Sequence, residues 1–216
     1  MKIRQMHYSF DFDYTLADSS SGAILCFNHA LEKLGLPGQS ECNIRKTIGL
    51  SLQKSFEILS PMGMEKDFDR FVHLFKEKAD EVMLENIKIY EVVPEVFSKL
   101  KVLGQYISIV STKYKYRIVA ALEREQLLHL VDNIIGGECV TKVKPNPEGL
   151  NKAIDTSNIL AGNTFYIGDS ISDGECASRA KVKFIAVTTG VTSLHLLEKW
   201  EPVKVINNLT ELINVS

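Results

Sequence analysis

Four short stretches of this chain place acids, hydroxyls or a lysine within reach of apolar runs. FDFDYTLA carries Asp11, Asp13 and Thr15, and ISIVSTK carries Ser111, Thr112 and Lys113. VKPNPE carries Lys144, and YIGDSISD carries Asp169 and Asp173. Crowded carboxylates repel one another unless a cation sits among them. Asp11, Asp169 and Asp173 offer hard oxygen ligands, the set Mg²⁺ takes when water and a substrate phosphate complete its shell. With that charge offset, one aspartate can attack phosphorus and carry an aspartyl-phosphate. A neighbouring carboxyl can protonate the leaving oxygen and then deprotonate the water that resolves the intermediate. Residues i and i+2 of an extended chain share a face, so Asp11 and Asp13 suit nucleophile and acid/base. Ser111 and Lys144 would give the phosphoryl oxygens a hydroxyl donor and a fixed cation.

Each piece alone has an ordinary reading. D-x-D after a strand serves as a cap or turn. Ser111-Thr112 can cap the following helix, a single lysine such as Lys144 is commonly solvated, and Gly168-Asp169-Ser170 can be a turn. Their succession in one chain, each in the same kind of place, carries the chemical reading.

The elements that must position these groups follow from hydrophobic period. Residues 5–11 read as a strand. A helix starts at Ser20, with Ile24, Phe27, Leu31 and Leu34 on one face, and Gly35 and Pro37-Gly38 close it. Helical segments continue through 40–86, with breaks near Gly49 and at Pro61-Met62-Gly63. Phe68, Phe71, Phe75, Ala79 and Val82 form a helix-packing stripe there. After Pro94 the pattern alternates: helix 94–103, strand 106–110, helix 114–124, strand 133–136, a helix from near Pro147, strand 164–167, helix 172–180 and strand 184–187. Alternation with short connections predicts an α/β fold, a parallel sheet covered on both faces. The first strand belongs to that sheet, because nothing in 20–86 offers it a partner. The expected organisation is a core of residues 1–16 plus 91–216 and an inserted all-helical unit of residues 17–90. Open parallel sheets bind ligands beyond the carboxyl ends of their strands, and the four stretches gather at that edge.

Composition narrows the class. The 216 residues are 45% hydrophobic and 24% charged with a formal net charge of -2, and no basic stripe points to nucleic acid or a membrane surface. The first residues do not read as a signal peptide, and no apolar run is long enough to span a bilayer. Cys26, Cys42, Cys139 and Cys176 are scattered without a C-x-x-C pair, which argues against a zinc site or disulfide framework. A cytoplasmic location fits, with the four cysteines as small buried apolar residues. The five histidines show no ligand spacing. The pattern leaves monomer and dimer open.

Taken together, the motifs resemble those of the haloacid dehalogenase-like hydrolase superfamily, in the phosphoglycolate phosphatase-like branch with a helical cap. DFDYT at 11–15 is similar to that family's D-x-D-x-T motif, and VST at 110–112 to its second. KPNPE at 144–148 is similar to the third and GDSISD at 168–173 to the acidic fourth. The resemblance implies a Rossmann-like sheet with strand one near its centre, a mobile cap, and Mg²⁺-dependent phosphoryl transfer. It implies Asp11 and Asp13 as catalytic residues and Thr15, Ser111, Thr112 and Lys144 as phosphate-binding. Asp11, Asp169, Asp173 and the backbone carbonyl of Asp13 would hold the metal. Two departures stand out: Tyr14 where many relatives have glycine, and YEVVP at 90–94 where a relative has Y-P-G-V-P. Asp13 argues against the dehalogenase and phosphonatase branches. RKTIGLSLQKSF at 45–56 resembles the cap loop of phosphoglycolate phosphatases and pyrophosphatases, and Leu52 stands where mutases carry arginine. Arg45, Lys46, Lys54 and Lys113 are candidates for a second anionic group on the substrate. The expected function is a phosphatase of a small phosphorylated metabolite. The alternatives are a β-phosphoglucomutase-like phosphomutase, a non-catalytic regulator that binds a phosphorylated ligand, and a receiver-like signalling domain.

Overall fold

The computed structural model describes residues 5–60 and 65–213. The expected break at 61–63 lies outside the described residues. The chain forms two units, Met1–Ala17 with Ile89–Ser216, and Asp18–Lys88.

The strands are β1 (His7–Phe10), β2 (Ala17–Asp18), β3 (Lys88–Ile89), β4 (Tyr106–Val110), β5 (Asn133–Ile135), β6 (Thr164–Gly168), β7 (Lys183–Val187) and β8 (Lys204–Ile206), with β2 and β3 at the two crossings between the units. Six of these form a sheet in the order β5-β4-β1-β6-β7-β8, while β2 and β3 form a separate two-stranded pair. Every pairing within the six is parallel. The four strands β1, β4, β6 and β7 are buried along most of their length, as expected of a parallel sheet covered on both faces. From β1 the sheet runs outward to β4 and β5 on one side and to β6, β7 and β8 on the other. That reversal opens a crevice at the carboxyl end of β1.

The helices, in chain order, are α1 (Ser20–Lys33), α2 (Glu41–Arg45), α3 (Leu52–Leu59), α4 (Phe68–Val82), α5 (Val93–Val102), α6 (Lys115–Arg124), α7 (Glu148–Ser157), α8 (Ile171–Ala180) and α9 (Leu194–Glu198). α5 has proline in its first turn and is followed by Gly104 at φ 72°, the usual asymmetry of helix ends. α7 and α8 both pack on the sheet, and Leu150, Ala153, Cys176 and Ala177 join Val110 and Tyr166 in one buried cluster. The ends of α5 to α8 depart from the expected ones by only a residue or so. α9, β8 and the two-residue strands β2 and β3 were not expected.

The smaller unit is helical between its terminal strand residues. Its core is aromatic: Phe27 of α1 meets Phe71 and Phe75 of α4 at ring separations of 5.7 and 4.9 Å, and Phe56 of α3 meets Phe71 at 4.6 Å. Phe71, Phe75 and Ala79 of the expected stripe are buried, whereas Phe68 and Val82 are half-buried. On α1, Phe27 and Leu31 face the core as expected. Ala23, Cys26 and Ala30 complete that face in place of Ile24 and Leu34. Cys26 and Cys176 are buried. Cys42 is exposed and Cys139 half-buried, which corrects the expectation for those two, since a short surface helix and a single 3-10 turn carry them.

Candidate active site

The backbone hydrogen bond from Asp11 N to Ile167 O (2.9 Å) carries the ladder one residue past β1. Asp11 therefore stands at the carboxyl edge, beside the end of β6. The chain then turns rather than staying extended. Leu16 N and Ala17 N both donate to Phe12 O, at 2.8 and 3.0 Å, and Tyr14 N donates to Ala17 O at 2.7 Å. Tyr14 sits at φ 60°, the left-handed region where glycine meets no steric penalty. The Thr189 hydroxyl donates to the Tyr14 carbonyl and helps hold that conformation. Asp13 thus reaches the site through a turn. The backbone after Asp11 is therefore not the extended chain that the i, i+2 spacing assumes.

Lys144 lies at the centre of the acidic groups. Its ammonium is 2.8 Å from Asp11 Oδ1 and 2.6 Å from Asp173 Oδ1, with only 3% of its side chain exposed. Asp173 is heavily engaged. Its Oδ1 accepts from Lys144 and from the Tyr166 hydroxyl (3.2 Å), and its Oδ2 accepts from Ser170 N (3.0 Å) and Ser170 Oγ (2.5 Å). The Ser170 contacts form a capping box that starts α8, so the residues that begin the helix also aim the carboxylate. Tyr166 OH also lies 2.8 Å from Val110 O. One buried ring thereby ties the end of β4 to Asp173. Thr15, expected to contact phosphate, donates to Asp169 Oδ1 at 3.0 Å. A Cβ at Gly190 would lie 1.9 Å from Asp169 Oδ2, so only glycine leaves room for that carboxylate.

Ligand oxygens of Asp11, Asp169 and Asp173 all lie within 4.8 Å of one another, and all three residues are buried. Burial, and then Asp173 and Asp13 against the opposing pull of Lys144, push the Asp11 carboxyl up to about 7. Burial, then Asp173 and Asp11, push Asp169 well above the usual carboxylate range. Burial acts to lower Lys144, but Asp11 and Asp173 outweigh it and hold the ammonium charged. Asp11 Oδ2 is buried with no hydrogen-bond partner. A divalent cation with oxygen preference fits this donor set, because it would supply the missing positive charge and a partner for that oxygen.

Beyond β4, Ser111 N donates to Ile135 O at 3.1 Å, and the Ser111 hydroxyl accepts from Lys113 N at 3.3 Å. Ser111 is buried and Thr112 half-buried. The Lys113 ammonium was a candidate for a second substrate anion. It is 3.1 Å from Asp13 Oδ1. In the smaller unit Arg45 donates to the Ser20 hydroxyl, Lys46 is exposed, and Lys54 pairs with Glu57 at 3.2 Å. Tyr166, Thr189 and Gly190 were not anticipated. The last two had a visible signal, since Thr188-Thr189-Gly190 follows the apolar run FIAV just as the recognised motifs follow theirs.

Comparison with known proteins places the chain in a family. Residues 8–187 match the haloacid dehalogenase-like hydrolase family, and the chain belongs to it. It is an enzyme of the phosphatase-containing, phosphoglycolate phosphatase-like branch. A haloacid dehalogenase-like hydrolase structure from Bacteroides fragilis is 38% identical, with a TM-score of 0.93 over 97% of this chain and 100% of that one. Pyrophosphatase PpaX of Bacillus mycoides is 27% identical over 95% of this chain and 94% of its own. A phosphoglycolate phosphatase of Vibrio parahaemolyticus is 25% identical over 96% and 94%. Among the described residues no helix is long and apolar enough to cross a membrane.

Proposed function

We propose that this protein is a Mg²⁺-dependent phosphatase of small phosphorylated metabolites that works through an aspartyl-phosphate on Asp11. The observation that carries the reading is the buried cluster of Asp11, Asp169 and Asp173 with Lys144 bonded into it. Asp11 attacks phosphorus, and as the bond to the leaving oxygen breaks, Asp13 gives that oxygen its proton. Water then attacks phosphorus, Asp13 takes a proton from it, and the bond to Asp11 breaks. Inorganic phosphate departs and both aspartates are restored. Lys144 holds positive charge beside the nucleophile, and Ser111 offers its hydroxyl to the phosphoryl oxygens. Mg²⁺, held by Asp11, Asp169 and the Asp13 carbonyl, would offset the charge of nucleophile and phosphate. Asp173, expected as a metal ligand, lies in that cluster and has a second role. Its Oδ1 accepts from Lys144 at 2.6 Å while Ser170 N and Ser170 Oγ hold its Oδ2, so it aims the Lys144 ammonium.

The relatives named for phosphoglycolate and pyrophosphate make those compounds the first to try. A panel of phosphorylated metabolites, assayed for phosphate release with Mg²⁺ and with EDTA, tests the reading. Selective Mg²⁺-dependent release from small monoesters or pyrophosphate is expected. Isomerisation of a hexose monophosphate without release would instead make it a mutase. No turnover of any member would overturn catalysis.

A further inference from the structure

We propose that Lys113 is a positioning residue for the acid/base Asp13, so that its importance depends on how poor the leaving group is. The inference rests on the proposed phosphatase reading. Lys113 Nζ meets Asp13 Oδ1 at 3.1 Å, and the two side chains are only 8% and 7% exposed. The Lys113 ammonium also lies 6.0 Å from the Phe12 ring centroid, so the residue between the two aspartates lines its position. Its own backbone N–H is bonded to the Ser111 hydroxyl at 3.3 Å, which ties the base of the side chain to the end of β4.

Asp13 follows the end of β1 in a turn and bridges to Ala17. Tyr14 holds a positive φ next to it. An ion pair to one carboxylate oxygen fixes rotation about the Cβ–Cγ bond and sets where the second oxygen points. A proton-transfer group must sit within hydrogen-bond reach of the leaving oxygen, and small misplacements of such groups are expensive in rate. A surface pair would do little of this, because solvent screens it and the long side chains stay mobile. This pair is shielded from solvent. Lys144 cannot take over the role, since Asp11 and Asp173 hold its ammonium.

The consequence is selective. A nitrophenolate departs without protonation, whereas an alkoxide does not. Losing the support therefore harms alkyl phosphates and spares activated aryl ones. The test measures kcat/KM, which reports steps through departure of the leaving group, for a series of aryl and alkyl phosphate monoesters of rising leaving-group pKa. Wild type, Lys113→Met, Lys113→Arg and Asp11→Asn are compared with Mg²⁺ present. Lys113→Met is expected to lose roughly 10- to 100-fold on alkyl esters, a fraction of the full value of general acid catalysis. It should lose less than about threefold on p-nitrophenyl phosphate, so that the plot of rate against leaving-group pKa steepens. Lys113→Arg retains a donor and is expected to recover part of the shallow slope. A parallel drop across the whole series would mean a structural role only and would overturn the inference. An unchanged series, or an arginine variant as steep as the methionine one, would do the same. Asp11→Asn separates the two levels. If it retains activity, the underlying phosphatase reading fails, whereas an inactive Asp11→Asn beside an unchanged Lys113→Met sinks only the role of Lys113.

Discussion

Replacing Asp11 by asparagine is expected to stabilise the metal-free protein and to abolish its turnover. Asp11 is buried with two other carboxylates within 4.8 Å, and its carboxyl is raised from 3.8 to about 7. The native state thus binds this proton more tightly than the unfolded chain does. Stability then falls as pH rises from about 4 through about 7, and levels off above that. The shift of about three pH units corresponds to about 4 kcal/mol at pH 8, taken as an upper limit because protein interiors relax around charge. Asparagine keeps the shape and removes the charge, so the variant recovers a share of that energy. It also takes one charged partner from Lys144, which keeps Asp173 at 2.6 Å. For a chain of this size each kcal/mol moves Tm by about 2–4 °C, so even half the limit raises it by roughly 4–8 °C. The assay is thermal unfolding of both proteins in EDTA at pH 5 and pH 8, repeated with Mg²⁺. The gap should be large at pH 8 and less than half as large at pH 5. Mg²⁺ should raise the wild type more than the variant, because it binds the folded site and closes the gap by mass action. Phosphate release should fall by at least ~10³-fold. A variant no more stable than wild type in EDTA at pH 8, or a gap that does not grow with pH, would refute the electrostatic reasoning. Retained turnover would refute the nucleophile.

Other outcomes follow from single contacts. Tyr166→Phe removes the hydroxyl that lies 2.8 Å from Val110 O and 3.2 Å from Asp173 Oδ1. It should lower stability by about 1–2 kcal/mol in urea unfolding and lower kcat several-fold through a looser Asp173, and no change in either would remove its anchoring role. Gly190→Ala puts a Cβ where Asp169 Oδ2 now lies, and should weaken Mg²⁺ affinity about 10-fold or more by calorimetric titration; unchanged affinity would mean that the loop moves aside freely. His7 is lowered from 6.5 to about 4, chiefly by burial, with Asp132 opposing. The unfolded chain therefore takes up this proton first, and stability is lost as pH falls from 6.5 towards 4, by about 3 kcal/mol at most. His7→Gln should flatten that acid limb in urea titrations, and a limb of unchanged depth would assign it to other groups. Because the Asp11 and His7 trends oppose each other between pH 4 and 6.5, each is read as variant minus wild type.

Much of the fold was legible because its signals are local. The apolar runs of β4, β6 and β7 are bounded by glycine and polar residues, and Gly104 closes the α5 region one residue beyond the last turn. The elements that escaped are those with weak local signals. β8 has three residues with Val205 exposed, as an edge strand permits, and its identity comes from pairing with β7. β2 and β3 have two residues each, too few to show a period. Residue type alone points Cys42 inward, while its place in a five-residue surface helix decides its burial.

At the site, sequence order conveys which groups arrive but not which partner each takes. Asp11 and Asp169 could be read because each stands directly after a buried strand, and Lys144 because its short loop reaches the same edge. The pairing of Lys113 with Asp13, of Thr15 with Asp169 and of Tyr166 with Asp173 spans 100, 154 and 7 positions respectively, and no periodicity encodes those choices. Tyr166 in particular looks like any aromatic residue of a buried strand until its hydroxyl is placed. The physical reason for so many partners lies in the charges themselves. Burying Asp11, Asp169 and Asp173 together is unfavourable, so each carboxylate must be pinned by a neighbour that gives no ground: Thr15 and the space at Gly190 for Asp169, Ser170 and Tyr166 for Asp173, Lys144 for Asp11. Relaxing one of these contacts lets the acids move apart, which relieves the repulsion and disperses the donor set proposed for the cation. That coupling is why positioning residues outside the recognised motifs should matter here nearly as much as the aspartates they hold.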